Sequence, residues 1–157
     1  MKKIPITKAG LNKIRAELER LKNIERPLVI EAIQEARAHG DLSENAEYHA
    51  AREKQGYIEA RIRDLEAKVG LAEVVDVSEL SGNKVIFGAT VTVVDEDTDE
   101  ETTYQIVGEE ESNIKEKRLS IQAPLSRALV GKSVGDSVEV KAPSGTKFYE
   151  ILKIEFI

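Results

Sequence analysis

Asp41 and Glu44 lie three residues apart in the run Gly40-Asp41-Leu42-Ser43-Glu44-Asn45-Ala46-Glu47-Tyr48, between two long stretches of helical periodicity. Carboxylate oxygens are ligands for hard divalent cations such as Mg²⁺, but two of them do not hold that ion tightly, so the remaining ligands would have to come from a partner. The same spacing also reads as Asp-x-x-Glu, a capping box that would satisfy free backbone donors at the start of the second helix. On spacing alone capping is the commoner outcome. The two roles are compatible, because a capping carboxylate on an exposed turn can be released to a metal.

Arg37 precedes this turn and Arg52 follows it. If they lie near each other across a hairpin they form a small basic patch suited to phosphates, while the plainer reading pairs them with nearby glutamates such as Glu35 and Glu53. The only two histidines, His39 and His49, flank the same turn. Imidazole suits softer metals than Mg²⁺, and surface histidines on a solvated hairpin are more often incidental than ligands. Tyr48 reads as packing between the helices, with a hydroxyl that could brace the turn.

The elements that must hold these residues are legible as heptads. Leu11, Ile14, Leu18, Leu21, Leu28 and Ala32 keep the spacing of a coiled-coil seam, with Glu25 the one polar member. Tyr48, Ala51, Gln55, Ile58, Ile62, Leu65, Val69 and Ala72 keep it again after the turn. Two such stripes joined by a short connection predict an antiparallel hairpin. Arms of about thirty residues, at about 1.5 Å each, give a rod on the order of 45 Å long. Thr7 is suited to cap the first helix, with Ile6 and Leu11 as a hydrophobic staple. Pro27 removes a backbone donor, which predicts a kink or short break near Glu25 and Arg26, and Gly40 ends the arm. A hairpin that satisfies its own seam predicts a monomer.

Composition bounds the function. The chain has 157 residues, 33% charged and 41% hydrophobic, with a formal net charge of −6 and no cysteine. A net negative protein does not grip nucleic acid over a broad surface, so any such contact is local. The absence of cysteine excludes disulfides, thiolate metal sites and thiol catalysis. No apolar run reaches the length of a membrane span, and Met1-Lys2-Lys3-Ile4-Pro5 lacks the apolar stretch of a signal peptide, so the expectation is a cytoplasmic protein with no membrane partner.

Beyond Val74 the period changes from helical to alternating. This predicts a hairpin domain over residues 1–75, with its acidic tip at 40–45, and a globular α+β domain over 76–157. Strands are expected at Lys84–Phe87, Ala89–Asp95, Thr102–Val107, Arg118–Gln122, Ser137–Lys141 and Lys147–Phe156, with a short helix between Pro124 and Gly131 that turns Leu125, Leu129 and Val130 inward. The acidic run Asp95-Glu96-Asp97 with Asp99-Glu100-Glu101 reads as a solvated hairpin loop.

The tip sequence, extended through His49-Ala50-Ala51-Arg52-Glu53 and into Ile62-Arg63-Asp64-Leu65-Glu66, resembles the bacterial Gre family of transcript cleavage factors. The resemblance continues through Val85-Ile86-Phe87-Gly88-Ala89-Thr90-Val91 and Ala123-Pro124-Leu125-Ser126-Arg127-Ala128-Leu129-Val130-Gly131-Lys132. It implies an FKBP-like second domain that docks on RNA polymerase, and a hairpin that enters the secondary channel toward the active centre. It implies that Asp41 and Glu44 help hold a second Mg²⁺ in the polymerase, stimulating cleavage of backtracked RNA, so the chain would not itself be an enzyme. Arg37 and Arg52 become candidates for contact with the RNA 3′ end, and Pro124, Leu125 and Ser126 for polymerase docking. Ser43 stands where many relatives carry lysine, which implies a weaker basic patch and shorter cleavage products. Ala123 stands where the relatives usually place serine.

Two other classes fit parts of the pattern. An inhibitory regulator of the same channel would be expected to depart from Asp-x-x-Glu at the tip, and this chain keeps it. A coiled-coil adaptor or chaperone should expose apolar residues there, where only Leu42 is available. No nucleophile and base constellation supports a stand-alone hydrolase, and an FKBP-like fold gives no warrant for prolyl isomerase activity.

Overall fold

The computed structural model describes residues 2–41 and 44–157. Leu42 and Ser43, with the expectations placed on them, lie outside the described residues. Contacts separate Leu11–Ala72 from a second unit that joins Lys3–Gly10 to Glu73–Ile157. The boundary expected at residue 75 therefore misplaces the N-terminal segment. Strand β1 (Ile4–Thr7) pairs with β2 (Ala72–Val75), a pairing that four residues containing a proline did not announce.

Helix α1 (Lys8–Arg20) opens as expected: the Thr7 hydroxyl accepts the Gly10 amide at 3.0 Å. Thr7 is in turn held by Glu111, a buried acid 104 residues away. One Glu111 oxygen accepts the Thr7 amide at 2.8 Å and the Gly108 amide at 3.0 Å; the other accepts the Thr7 hydroxyl and Arg118 Nη2, the latter at 3.1 Å. Both oxygens are satisfied, which is the condition for burying a carboxylate without large cost.

In the first unit α1 passes through a π-wound segment, Leu21–Glu25, into α2 (Arg26–Ala38), and α3 (Ala46–Leu71) returns. The break expected near Glu25 and Arg26 takes this form. The Arg26 amide donates to the Leu21 carbonyl, five residues back, and Pro27 has no amide to give to Asn23. One extra residue turns a helix face by about 100°, so the seam changes register. Val29, Ile33 and Ala36 are buried, whereas the expected Leu28 is 56% exposed and Ala32 is exposed as well. The second arm has no such insertion. Ala51, Ile58, Ile62 and Leu65 are buried and Tyr48, Gln55, Val69 and Ala72 half-buried, as the uninterrupted heptads require. Arg61 with Glu17 and Arg26 with Glu59 bind across the seam, and Glu25 lies between Arg20 and Lys54. Such half-exposed pairs contribute up to about 1 kcal/mol each and fix register more than stability.

The second unit is built on a five-stranded sheet in the order β5-β4-β3-β7-β6. β3 (Thr90–Asp95) and β4 (Glu101–Val107) form an antiparallel hairpin closed by the acidic loop, in which the Asp95 carboxylate accepts the Asp97 amide at 2.9 Å. β5 (Arg118–Ser120) runs parallel to β4, and β6 (Ser137–Ala142) pairs antiparallel with β7 (Gly145–Glu155). A bulge leaves Leu152 without a partner opposite β3. Val85, Ala89, Val91, Val93, Ile106, Leu129, Val138 and Ile151 form the core.

Lys84–Phe87 is not a strand. Lys84 makes one bridge to Ser133, and Val85 is held through backbone bonds to Lys132 and Gly131. Helix α4 (Pro124–Leu129) turns Leu129 fully and Leu125 partly into the core, but it ends before Val130, which is exposed rather than inward. Between β2 and this sheet, the Ser78 hydroxyl and amide donate to Asp76 and hold its carboxyl below the usual carboxylate range. Among the described residues, no helix is long and apolar enough to cross a membrane.

Candidate functional site

Helix α2 closes at Ala38, where the His39 amide donates to the Ala36 carbonyl at 3.1 Å and the Gly40 amide to Arg37 at 3.4 Å. Gly40 has φ +108°, a conformation that L side chains adopt rarely, and it ends the arm as expected. Helix α3 does not begin on the acids. Its N-cap is Asn45, whose Oδ1 accepts the Tyr48 amide at 3.0 Å. At the start of α3, therefore, Tyr48 and not Glu44 holds the third helical position, and both acids precede this cap.

Asn45 also reaches across the hairpin, donating from Nδ2 to the Ala36 carbonyl at 2.7 Å. One half-buried side chain thus gives the Ala36 carbonyl a second donor beside the His39 amide and satisfies a free amide of α3. Asparagine just before a new helical pattern is a preferred cap, and that signal alone would have located the helix start.

Further contacts surround the turn. His39 Nδ1 lies 3.2 Å from Glu47 Oε2, with the two side chains 63% and 73% exposed. The Arg37 guanidinium sits 5.9 Å from the Tyr48 ring centre, and His49 meets the same ring edge-on at 5.6 Å. Asp41 and Glu44, both exposed, line an open recess of about 430 Å³ together with His39, Asn45, Ala46 and Glu47. Arg37 and Arg52 are exposed and do not line it. Among the described residues neither arginine enters an ion pair, so the expected pairing with Glu35 and Glu53 does not occur.

The donors in this recess suit a hard cation. Two exposed carboxylates offer oxygen ligands, yet no three histidine, aspartate or glutamate side chains gather among the described residues into a metal site. Two carboxylates leave most oxygen positions around such an ion to be filled from elsewhere.

The second expected contact region is only partly at the surface. Pro124 is exposed at the start of α4 and Leu125 is half-buried on the core. Ser126 is fully buried and its hydroxyl has no partner, so it cannot touch a docked molecule directly. It falls on the face of α4 that Leu129 also turns inward. Ala123 occupies the N-cap position of α4 without a side-chain bond, a weak start for a six-residue helix.

The described residues form a helical hairpin with exposed acids near its turn, followed in sequence by an α+β unit. Residues 4–74 match the family described as transcription elongation factor, N-terminal, and residues 80–156 match transcription elongation factor, GreA/GreB, C-terminal. The chain is 61% identical over 157 residues to the transcription elongation factor GreA of a Caulobacter species, covering 100% of both chains. It is 60% identical to that of Rhodospirillum rubrum, covering 99% of both. Among solved structures, GreA factor homolog 1 of Thermus thermophilus is 27% identical over 98% of this chain and 99% of that one, with a TM-score of 0.45. This chain belongs to the GreA/GreB family of transcription elongation factors.

Proposed function

We propose that the chain binds bacterial RNA polymerase, inserts its hairpin into the secondary channel, and stimulates cleavage of the backtracked RNA 3′ end. The observation that carries this reading is the exposure of Asp41 and Glu44 on a turn whose capping duty is done by Asn45. Exposed carboxylates at such a turn can be reached by an outside partner. Asp41 and Glu44 supply oxygen ligands and negative charge in the polymerase active centre. A second Mg²⁺ bound there supplies activation of water and stabilisation of an in-line displacement. Arg37 and Arg52, which make no ion pair among the described residues, offer charge to phosphates of the displaced RNA. Pro124 and Leu125 belong to the docking surface, while Ser126 supports it from beneath. The hydrolytic site is the polymerase's, so this chain is a stimulating factor and not an enzyme. The adaptor reading finds no support, because the family match spans both parts of the chain.

The test mixes purified factor with stalled, backtracked elongation complexes and Mg²⁺. Asp41→Ala and Glu44→Ala are each expected to lower the maximal cleavage rate by on the order of a hundredfold, the scale of losing one positioned electrostatic group. Both should still compete with wild-type factor for polymerase. Undiminished cleavage by both variants, or cleavage by the factor without polymerase, contradicts the assignment.

A further inference from the structure

We infer that Asn45 is the positioning residue of the tip, setting where the Asp41 and Glu44 carboxylates stand by closing the acid-bearing turn onto a single backbone oxygen. This rests on the proposed function of those two acids. The Ala36 carbonyl accepts from the His39 amide at 3.1 Å and from Asn45 Nδ2 at 2.7 Å. His39 and Asn45, on either side of the two acids, are therefore both bonded to one atom. That atom belongs to a residue with only 2% of its surface exposed, so the anchor is part of the packed seam. Glu44 is one peptide from Asn45, and its backbone position follows from that bond.

Two other contacts beside this turn hold it less firmly. The His39 and Glu47 pair is largely exposed, where ion pairs hold geometry weakly. Arg37 over Tyr48 joins α2 to α3 beside the turn rather than fixing the acids. Only asparagine among the usual cap residues combines an acceptor for the Tyr48 amide with a donor that reaches Ala36. Serine and aspartate cap equally well, but the serine hydroxyl is too short to reach Ala36 from the cap and aspartate has no donor, so they separate the two roles of Asn45.

Cleavage by backtracked complexes is measured against factor concentration for Asn45→Ser and Asn45→Asp. Both variants are expected to keep the wild-type half-saturating concentration within about twofold while the maximal rate falls about tenfold or more, since small misplacement of a reacting group is costly. A full maximal rate in both variants overturns the inference, and so does a loss recovered entirely by excess factor, which would make Asn45 a merely structural residue. In the wild-type protein, the Asn45 side-chain amide protons should exchange with solvent more slowly than those of exposed asparagines. Free exchange overturns the inference even if a variant fails to fold. Failure of the functional reading is distinct: it shows as full cleavage by Asp41→Ala and Glu44→Ala.

Discussion

Glu111 is 8% exposed and receives two backbone amides, a hydroxyl and a guanidinium, whereas Asp41 and Glu44 lie exposed on a turn that another residue caps. The same functional group is thereby built into the architecture in one place and left at the surface in the other, where the proposed function gives it to an outside partner. Burial alone does not make the difference. A buried carboxylate without its donors would be expelled or neutralised, and an exposed one used as a helix cap would be occupied locally. In the second unit the chain closes four donors over Glu111; at the tip the capping amide of α3 goes to Asn45 and the two acids stay at the surface.

Substitution at the two places should exchange loss of activity for loss of structure. Asp41→Ala and Glu44→Ala should abolish most cleavage while changing unfolding free energy by less than about 0.5 kcal/mol, as exposed substitutions do. Glu111→Ala should do the reverse. Removing one partner of a buried, hydrogen-bonded charge pair costs about 3–5 kcal/mol, here by stranding Arg118 and two amides. Amide hydrogen exchange at Ile106 and Val107, in the β4 core, reads this directly. A Glu111→Ala protein as stable as wild type would remove the distinction drawn here between the two acids.

Gly10 gives the next test, because two effects there have opposite sign. Alanine in a helix is favoured over glycine by about 1 kcal/mol. At Gly10 an added Cβ would stand 2.5 Å from Glu111 Cδ, and the carboxylate is held too firmly to yield. Overpacking of this kind costs about 1–3 kcal/mol, so Gly10→Ala is expected to destabilise the second unit in denaturant titrations despite its helical gain. Increased stability would mean that Glu111 moves freely.

These residues also show where sequence reading stops. The second arm was legible because its heptads run from Tyr48 to Ala72 without interruption. The first arm was legible only to Leu21, since nothing in the periodicity declares that five residues will wind as a π-helix and hand the seam from Leu28 to Val29. The long strands followed from alternation, but Lys84–Phe87 did not, because it is held by backbone bonds to residues 131–133 rather than by a sheet partner. The acids of the tip were visible from their types and spacing. Their relation to the helix was not, because capping is settled by which of several competent side chains lies nearest the first free amides. Glu111 carried no local signal at all, since its partner Thr7 is 104 residues distant.

Ser126 offers the smallest and most discriminating effect. Its hydroxyl is buried without a partner, the opposite of Glu111, whose every oxygen is satisfied. An unsatisfied buried polar group costs more to keep than to remove, and alanine has nearly the same shape, so Ser126→Ala should raise stability by up to about 1 kcal/mol. The gain should appear in denaturant midpoints of the second unit. If Ser126 instead touches polymerase, stability will stay unchanged or fall, and the variant will need more factor to reach half-maximal cleavage. A buried supporting residue predicts the opposite pair of results: a more stable domain with unaltered half-saturation. The same serine thus tells a residue that builds the docking surface from one that belongs to it.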